Sequence, residues 1–244
     1  MFFIAAMTDV EAALWDFRYL QESQHFHSLH KLMTVQIVVQ IMRVAAARCH
    51  VEMLQYLVAQ PAAKQIPAAA MESLITDALF REAAPDTRCT YLSQFDRDVL
   101  QVLCKAAASA AEQIDAAAGL QLLQTALELC ERSSRSYGVM LAVCSLPAVK
   151  QLDLATVEPL IQQAVGAEEG KFQHSSNWYA LAKLLPAATQ LSSASMHKLL
   201  QGAVQRGCCD LVSALLRLPA ARRLEPAAVA DLLRGSSDRK PQRW

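Results

Sequence analysis

Three histidines within six residues, His25, His27 and His30, with Cys49 and His50 further on, are the side chains of this chain that come nearest to a chemical constellation. Imidazole and thiolate ligands at short spacing suit zinc or copper. A structural zinc site needs ligands at tight, paired spacings, however, and the chain contains no CxxC. An exposed histidine-rich connection is the simpler reading, and no metal is expected. Cys208 and Cys209 are adjacent, a poor geometry for an ordinary disulfide, and neither belongs to a recognisable Cys-His arrangement that would activate a nucleophile. Glycine-rich phosphate loops, HExxH and GxSxG are missing, and seven glycines leave little material for a nucleotide cradle. The sequence is therefore read as that of a non-enzyme, with no catalytic residue, no cofactor and no small-molecule substrate.

Composition points the same way. The 244 residues carry 23 basic and 23 acidic side chains, so nothing in the net charge favours a polyanion as partner. The chain is rich in Ala, Leu and Gln and poor in Gly, which predicts a mostly helical protein. Seven cysteines, an odd number with several at apolar helix positions, are read as reduced thiols. The N-terminal MFFIAAM has no basic region before it and meets Asp9 and Glu11 almost at once, unlike a secretory signal. The most apolar stretch, Val35 to Ala47, is interrupted by Gln36, Gln40 and Arg43 and is too short to span a bilayer. The expected location is intracellular, cytoplasmic or organellar, and not secreted.

What would position any functional residue is a repeat. Taking Met33, Ile66, Ile114, Leu152, Leu191 and Leu224 as anchors, an apolar pair recurs eight and nine residues on, from Ile41-Met42 to Leu232-Leu233. Alanine recurs three residues on in the last five copies and twelve residues on in the first five. Apolar positions 0, 5, 8, 9, 12 and 13 follow a helical period, so each copy contains one amphipathic helix, and its alanines are expected to permit close helix approach. The residue after the anchor is Pro67, Asp115, Asp153, Ser192 or Glu225, of which Asp and Ser are helix N-caps and Pro suits a first turn. Upstream of the later anchors lies a second apolar helix, at 50–60, 137–146, 178–185 and 208–218, closed by a Pro-Ala step at Pro61, Pro147, Pro186 and Pro219. The copy anchored at Ile114 has CKAAASAAEQI in place of that step.

These readings predict an all-α protein: an α-solenoid of about six stacked helix pairs over 31–235, in which each pair buries its apolar face against the next. Residues 1–30 are expected to form an N-terminal capping region, with a helix opened by the Thr8 to Glu11 capping box and running to about Gln21. Residues 236–244 are expected to be a basic, disordered tail. The segments HVEMLQYL from His50 and CDLVSALL from Cys209 resemble the second helix of ankyrin repeats, and the anchor spacings from 33 to 66 and from 191 to 224 equal the ankyrin period of 33 residues. The chain lacks the Thr-Pro-Leu-His start and the Gly/Asn turn residues of that family, so the resemblance is to divergent ankyrin-like proteins without evident β-hairpin fingers. It implies protein binding and carries over no site residue.

The anchor spacings are 33, 48, 38, 39 and 33, so three copies carry insertions, at 81–93, 131–136 and 166–177. All three fall between the first and second helix, a connection that the short copies make through Arg48-Cys49 and Arg206-Gly207. In a solenoid equivalent connections line an edge, and insertions there often build the binding face. The candidate partner-binding residues are Arg88, Tyr91, Arg132, Arg135, Lys171, Phe172, His174 and Trp178, with Arg81, Asp86, Glu168 and Glu169 beside them. The function expected is a non-enzymatic protein-binding scaffold or a structural subunit of a larger assembly. The alternative is an RNA-binding helical-repeat protein, which needs polar residues in register along its inner helices. A glutamine column just before the anchor, Gln65, Gln113, Gln151 and Gln190, with Arg223 in the last copy, is read as bonding backbone groups at the bend.

Overall fold

A computed structural model describes residues 34–82, 92–110, 113–132, 137–166, 186–205 and 209–237. In chain order the helices are α1 (Val35–Ala47), α2 (Val51–Val58), α3 (Ala68–Glu82), α4 (Leu92–Ser109), α5 (Ala116–Arg132), α6 (Tyr137–Cys144), the single turn α7 (Pro147–Lys150), α8 (Leu154–Gly166), α9 (Ser193–Gln205), α10 (Cys209–Leu216) and α11 (Pro226–Ser237). Three 3-10 turns are added, η1 (Pro61–Gln65), η2 (Pro186–Gln190) and η3 (Pro219–Arg223), and no strand occurs among the described residues. The capping region 1–30 lies outside the described residues, and α11 runs through Ser237 before the remainder of the tail.

Each of the six first helices, α1, α3, α5, α8, α9 and α11, begins two residues after its anchor. Side-chain caps explain that constancy. The Ile37 amide bonds Thr34 Oγ1 at 3.4 Å, the Ala118 amide Asp115 Oδ1 at 2.8 Å, the Thr156 amide Asp153 Oδ1 at 2.8 Å and the Ser195 amide Ser192 Oγ at 3.0 Å. Each bond satisfies an amide that has no partner inside the helix. The Thr156 hydroxyl, and after it the Thr156 amide, hold the Asp153 carboxyl below its usual range. Because the folded value is lowered, this contribution is present above the carboxyl's unfolded value and is lost as pH falls through the folded one. Urea titrations at several pH values are expected to show Asp153→Ala less stable than wild type at neutral pH, with the difference closing on acidification.

The pair at positions eight and nine is the buried spine: Leu74-Ile75, Leu122-Leu123, Leu160-Ile161 and Leu199-Leu200 are all buried. The two alanine columns part company. Ala45, Ala126 and Ala203, twelve residues after the anchor, are 0% exposed and lie where helices meet. Ala69, Ala117, Ala155, Ala194 and Ala227, three residues after it, all face outward, contrary to the expectation that they line helix contacts. The reason is angular: at about 100° per residue, position three lies roughly 170° from the centre of the arc made by positions 5, 8, 9 and 12.

Pro61, Pro147 and Pro219 follow the ends of α2, α6 and α10 as expected, and the helix expected before Pro186 lies outside the described residues; Pro61, Pro186 and Pro219 start 3-10 turns, with Ala63, Ala187, Ala188, Ala220 and Ala221 turned inward. In the Ile114 copy no proline intervenes, and α4 runs on to the residue where the proline would stand. Its other end reaches back to Leu92, inside the stretch read as an insertion, and α4 is 18 residues long where α2 and α10 have eight. The tight connection after α1 places Cys49 at φ 56, with its amide on the Ala46 carbonyl and the His50 amide on that of Ala45. This is the left-handed helix stop that glycine favours, and Gly207 occupies the equivalent position in the other short connection, outside the described residues.

Like elements touch in succession. The first helices meet as α1 with α3 and α3 with α5, then again as α8 with α9 and α9 with α11. The second helices meet as α2 with α4 and α4 with α6, and within a copy α1–α2, α3–α4, α5–α6 and α9–α10 pack together. The core is almost wholly apolar, Gln60 and Ser195 being the buried polar residues among those described.

Candidate partner-binding edge

Of the residues expected to bind a partner, Arg88, Tyr91, Arg135, Lys171, Phe172, His174 and Trp178 lie outside the described residues. Arg132 is placed as the last residue of α5, with nothing described of its side chain. What can be built is the frame from which these segments leave and to which they return.

The first insertion leaves α3 and rejoins the fold on α4, and the second leaves α5 and rejoins it on α6. Arg97, in the second turn of α4, lies across Gly138 at the start of α6. A Cβ on Gly138 would run into Arg97 Cδ, Cγ and Nε. The helices onto which the first two insertions return are therefore in contact near their starts. On the departing side, Phe80 is 59% exposed, an apolar ring left uncovered two residues before α3 ends. Nearby on α3, Asp77 and Ser73 are tied to α1 by Arg43, through Nε to Asp77 Oδ2 at 3.5 Å and Nη2 to Ser73 Oγ at 3.4 Å.

Phe80 and Arg97 were not among the residues singled out from sequence. Phe80 was legible, since fourteen residues past its anchor it falls on the same outward arc as the exposed alanines. Arg97 was not, because only the fold brings Gly138 beneath it. Another pattern emerges on the outer faces of the first helices, where the position ten residues after the anchor is Arg43, Thr76, Gln124, Gln162, Gln201 and Arg234. These polar residues do stand in register. Among the described side chains the exposed charges of those faces balance, with Arg43, Lys198 and Arg234 set against Asp77, Glu128 and Asp231.

At the bend, the residue that bonds backbone is Arg223, which replaces glutamine in the last copy. Arg223 Nη2 donates to the carbonyls of Leu191 at 2.9 Å and Thr189 at 3.2 Å, across one whole copy. Gln65, Gln113, Gln151 and Gln190 stand exposed at the same position.

The histidines His25, His27 and His30 fall outside the described residues, and among the described residues no group of three His, Cys, Asp or Glu side chains could hold a metal ion. Among them, too, no helix is long and apolar enough to cross a membrane. The interior thiols Cys104 on α4 and Cys144 on α6 are both 0% exposed. Burial, and secondarily Cys144, pushes the Cys104 thiol far above its usual range, so it holds its proton at any physiological pH. Alkylation of the native protein at pH 8 is expected to leave Cys104 unmodified, with labelling appearing only when denaturant unfolds the chain. Peptide mapping that finds Cys104 labelled in the native protein would contradict this burial.

Comparison with protein-family models, with curated proteins and with solved structures finds no match for the chain.

Proposed function

We propose that the chain is an ankyrin-like α-solenoid that binds another protein without catalysing a reaction, alone or as a subunit of a larger assembly. The binding face is the edge where first helices hand over to second helices. The observation that carries this reading is the packing of Arg97 over Gly138, which joins α4 and α6, the helices onto which the first two insertions return. Insertions scattered over separate faces need mean no more than tolerance of a solvated loop, whereas insertions that return onto touching helices are suited to build one surface. Phe80 adds an uncovered aromatic ring of the kind that anchors protein interfaces. The succession of like helices supports stacking in one direction, and the constant helix start supports a repeated unit.

Balanced charge on the outer faces favours a protein over RNA, because affinity for nucleic acid rests on a net cationic surface. The decisive experiment is affinity purification from the native source with three baits: wild type, a Phe80→Ala/Arg97→Ala double variant, and Lys198→Ala on the outer face of α9. The double variant is expected to retain its partners at least roughly tenfold less well, with Lys198→Ala unaffected. Retention on RNA that falls steeply with salt, with no protein partner lost in the double variant, would overturn the reading.

A further inference from the structure

The row of first helices is interrupted once. Among the described residues α3 lies on α1, α5 on α3, α9 on α8 and α11 on α9, but α8 has no comparable packing on α5, although both helices are described. The other elements divide at the same place. Helices α1 to α7 with η1 pack among themselves, α8 to α11 with η2 and η3 pack among themselves, and residues 151–153 lie between the two sets. These three residues are no slack linker. Leu152 is 8% exposed and Val149, just before it, is 0% exposed, and a single apolar core runs through both sets of helices.

On each side of this joint the chain departs from its repeat. Five residues after the anchor α5 has Gly119, where α1, α3, α8 and α9 have Val38, Met71, Val157 and Met196. The α7 turn fills the space that is left, so close that an ideal Cβ on Gly119 would stand 2.8 Å from Ala148 Cβ. Seven residues after the anchor α8 has Pro159, where the other five first helices carry Gln40, Ser73, Gln121, Lys198 and Asp231. Proline offers no amide to the Ala155 carbonyl and bends the helix that contains it.

We infer that residues 151–153 form a hinge between two arms, α1–α7 and α8–α11, which turn about the buried Val149 and Leu152 so that the angle between α5 and α8 varies. The inference rests on the helix-pair repeat reading, because in such a stack α8 is due to lie on α5. A hinge of this kind is made by a few residues at the ends of elements, and these three join the end of α7 to the start of α8. In sequence the second insertion belongs to the first arm and the third insertion to the other, so a partner that holds both fixes the angle.

Pulsed electron paramagnetic resonance on the full chain tests it. Nitroxide labels go on Gln40→Cys, Gln121→Cys and Lys198→Cys, all exposed and all seven residues after their anchors, once the cysteines that label in the native chain have been replaced by serine. The pair at 40 and 121 spans α3 within the first arm, and the pair at 121 and 198 spans α8 across the hinge. The distance distribution across the hinge is expected to be at least roughly twice as wide as the one within the arm. Exposed sites leave the core untouched, and an unchanged helical dichroism spectrum shows that the labelled chains are folded. A distribution across the hinge as narrow as that within the arm overturns the hinge and leaves the repeat reading standing. One that is broad within the arm as well overturns the repeat reading, and the hinge with it.

Discussion

Replacing Gly119 with leucine is expected to destabilise the protein by about 3 kcal/mol in chemical denaturation, the upper range for forcing a side chain into a filled contact. Gly119 stands five residues after its anchor, a position held elsewhere by Val38, Met71, Val157 and Met196. A larger residue is excluded here because the α7 turn presses in: an ideal Cβ would stand 2.8 Å from Ala148 Cβ and 3.3 Å from both the Ala148 carbonyl carbon and the Val149 amide nitrogen. Two of those three atoms are backbone, so relief requires α5 and α7 to separate. With alanine at 119 the clash is smaller, and it is opposed by the helix preference of Ala over Gly, worth about 1 kcal/mol. Gly119→Ala should therefore lie within about 1 kcal/mol of wild type and should gain stability when combined with Ala148→Gly. Leucine tolerated at 119 without loss would mean that α7 is not held against α5.

The second large effect comes from one residue type at two places on one helix. Ala126→Leu, at a site 0% exposed, is expected to cost about 2 kcal/mol, because three added carbons must fit between packed helices. Ala117→Leu, nine residues earlier on the outward face of α5, is expected to stay within about 0.5 kcal/mol of wild type. Ala and Leu have similar helix propensities, so the comparison isolates packing. Equal midpoints for the two variants in a urea titration would show that the face of α5 is assigned wrongly.

Much of the fold was legible because helix period and capping chemistry are local. The anchors located every first-helix start, Asp115, Asp153 and Ser192 cap as their residue types require, and Pro61, Pro147 and Pro219 end the second helices. Less legible was what a repeated residue is for. Ala69 and Ala117 recur as faithfully as Ala45 and Ala126, but recurrence records a column and not its orientation, which the angle about the helix axis decides. The first insertion was read as loop up to Ser93, although Ser93 and Asp96 have capping-box spacing, and α4 runs from Leu92. Of the candidate edge, the position of the insertions in the repeat was visible in the chain. The contact between the helices they return to was not, since Arg97 and Gly138 are brought together only by tertiary packing.

The missing proline of the Ile114 copy has a mechanical consequence. An uninterrupted helix of 18 residues is about 27 Å long, more than twice the length of α2 or α10, and α4 touches α2, η1, α3 and α6 at once. The described second helices on either side, α2, α6 and α10, have eight residues each. A rod that touches four elements cannot release one of them without loosening the others. The helix without a proline thus acts as a splint, and opening that begins at α1 is expected to stop there.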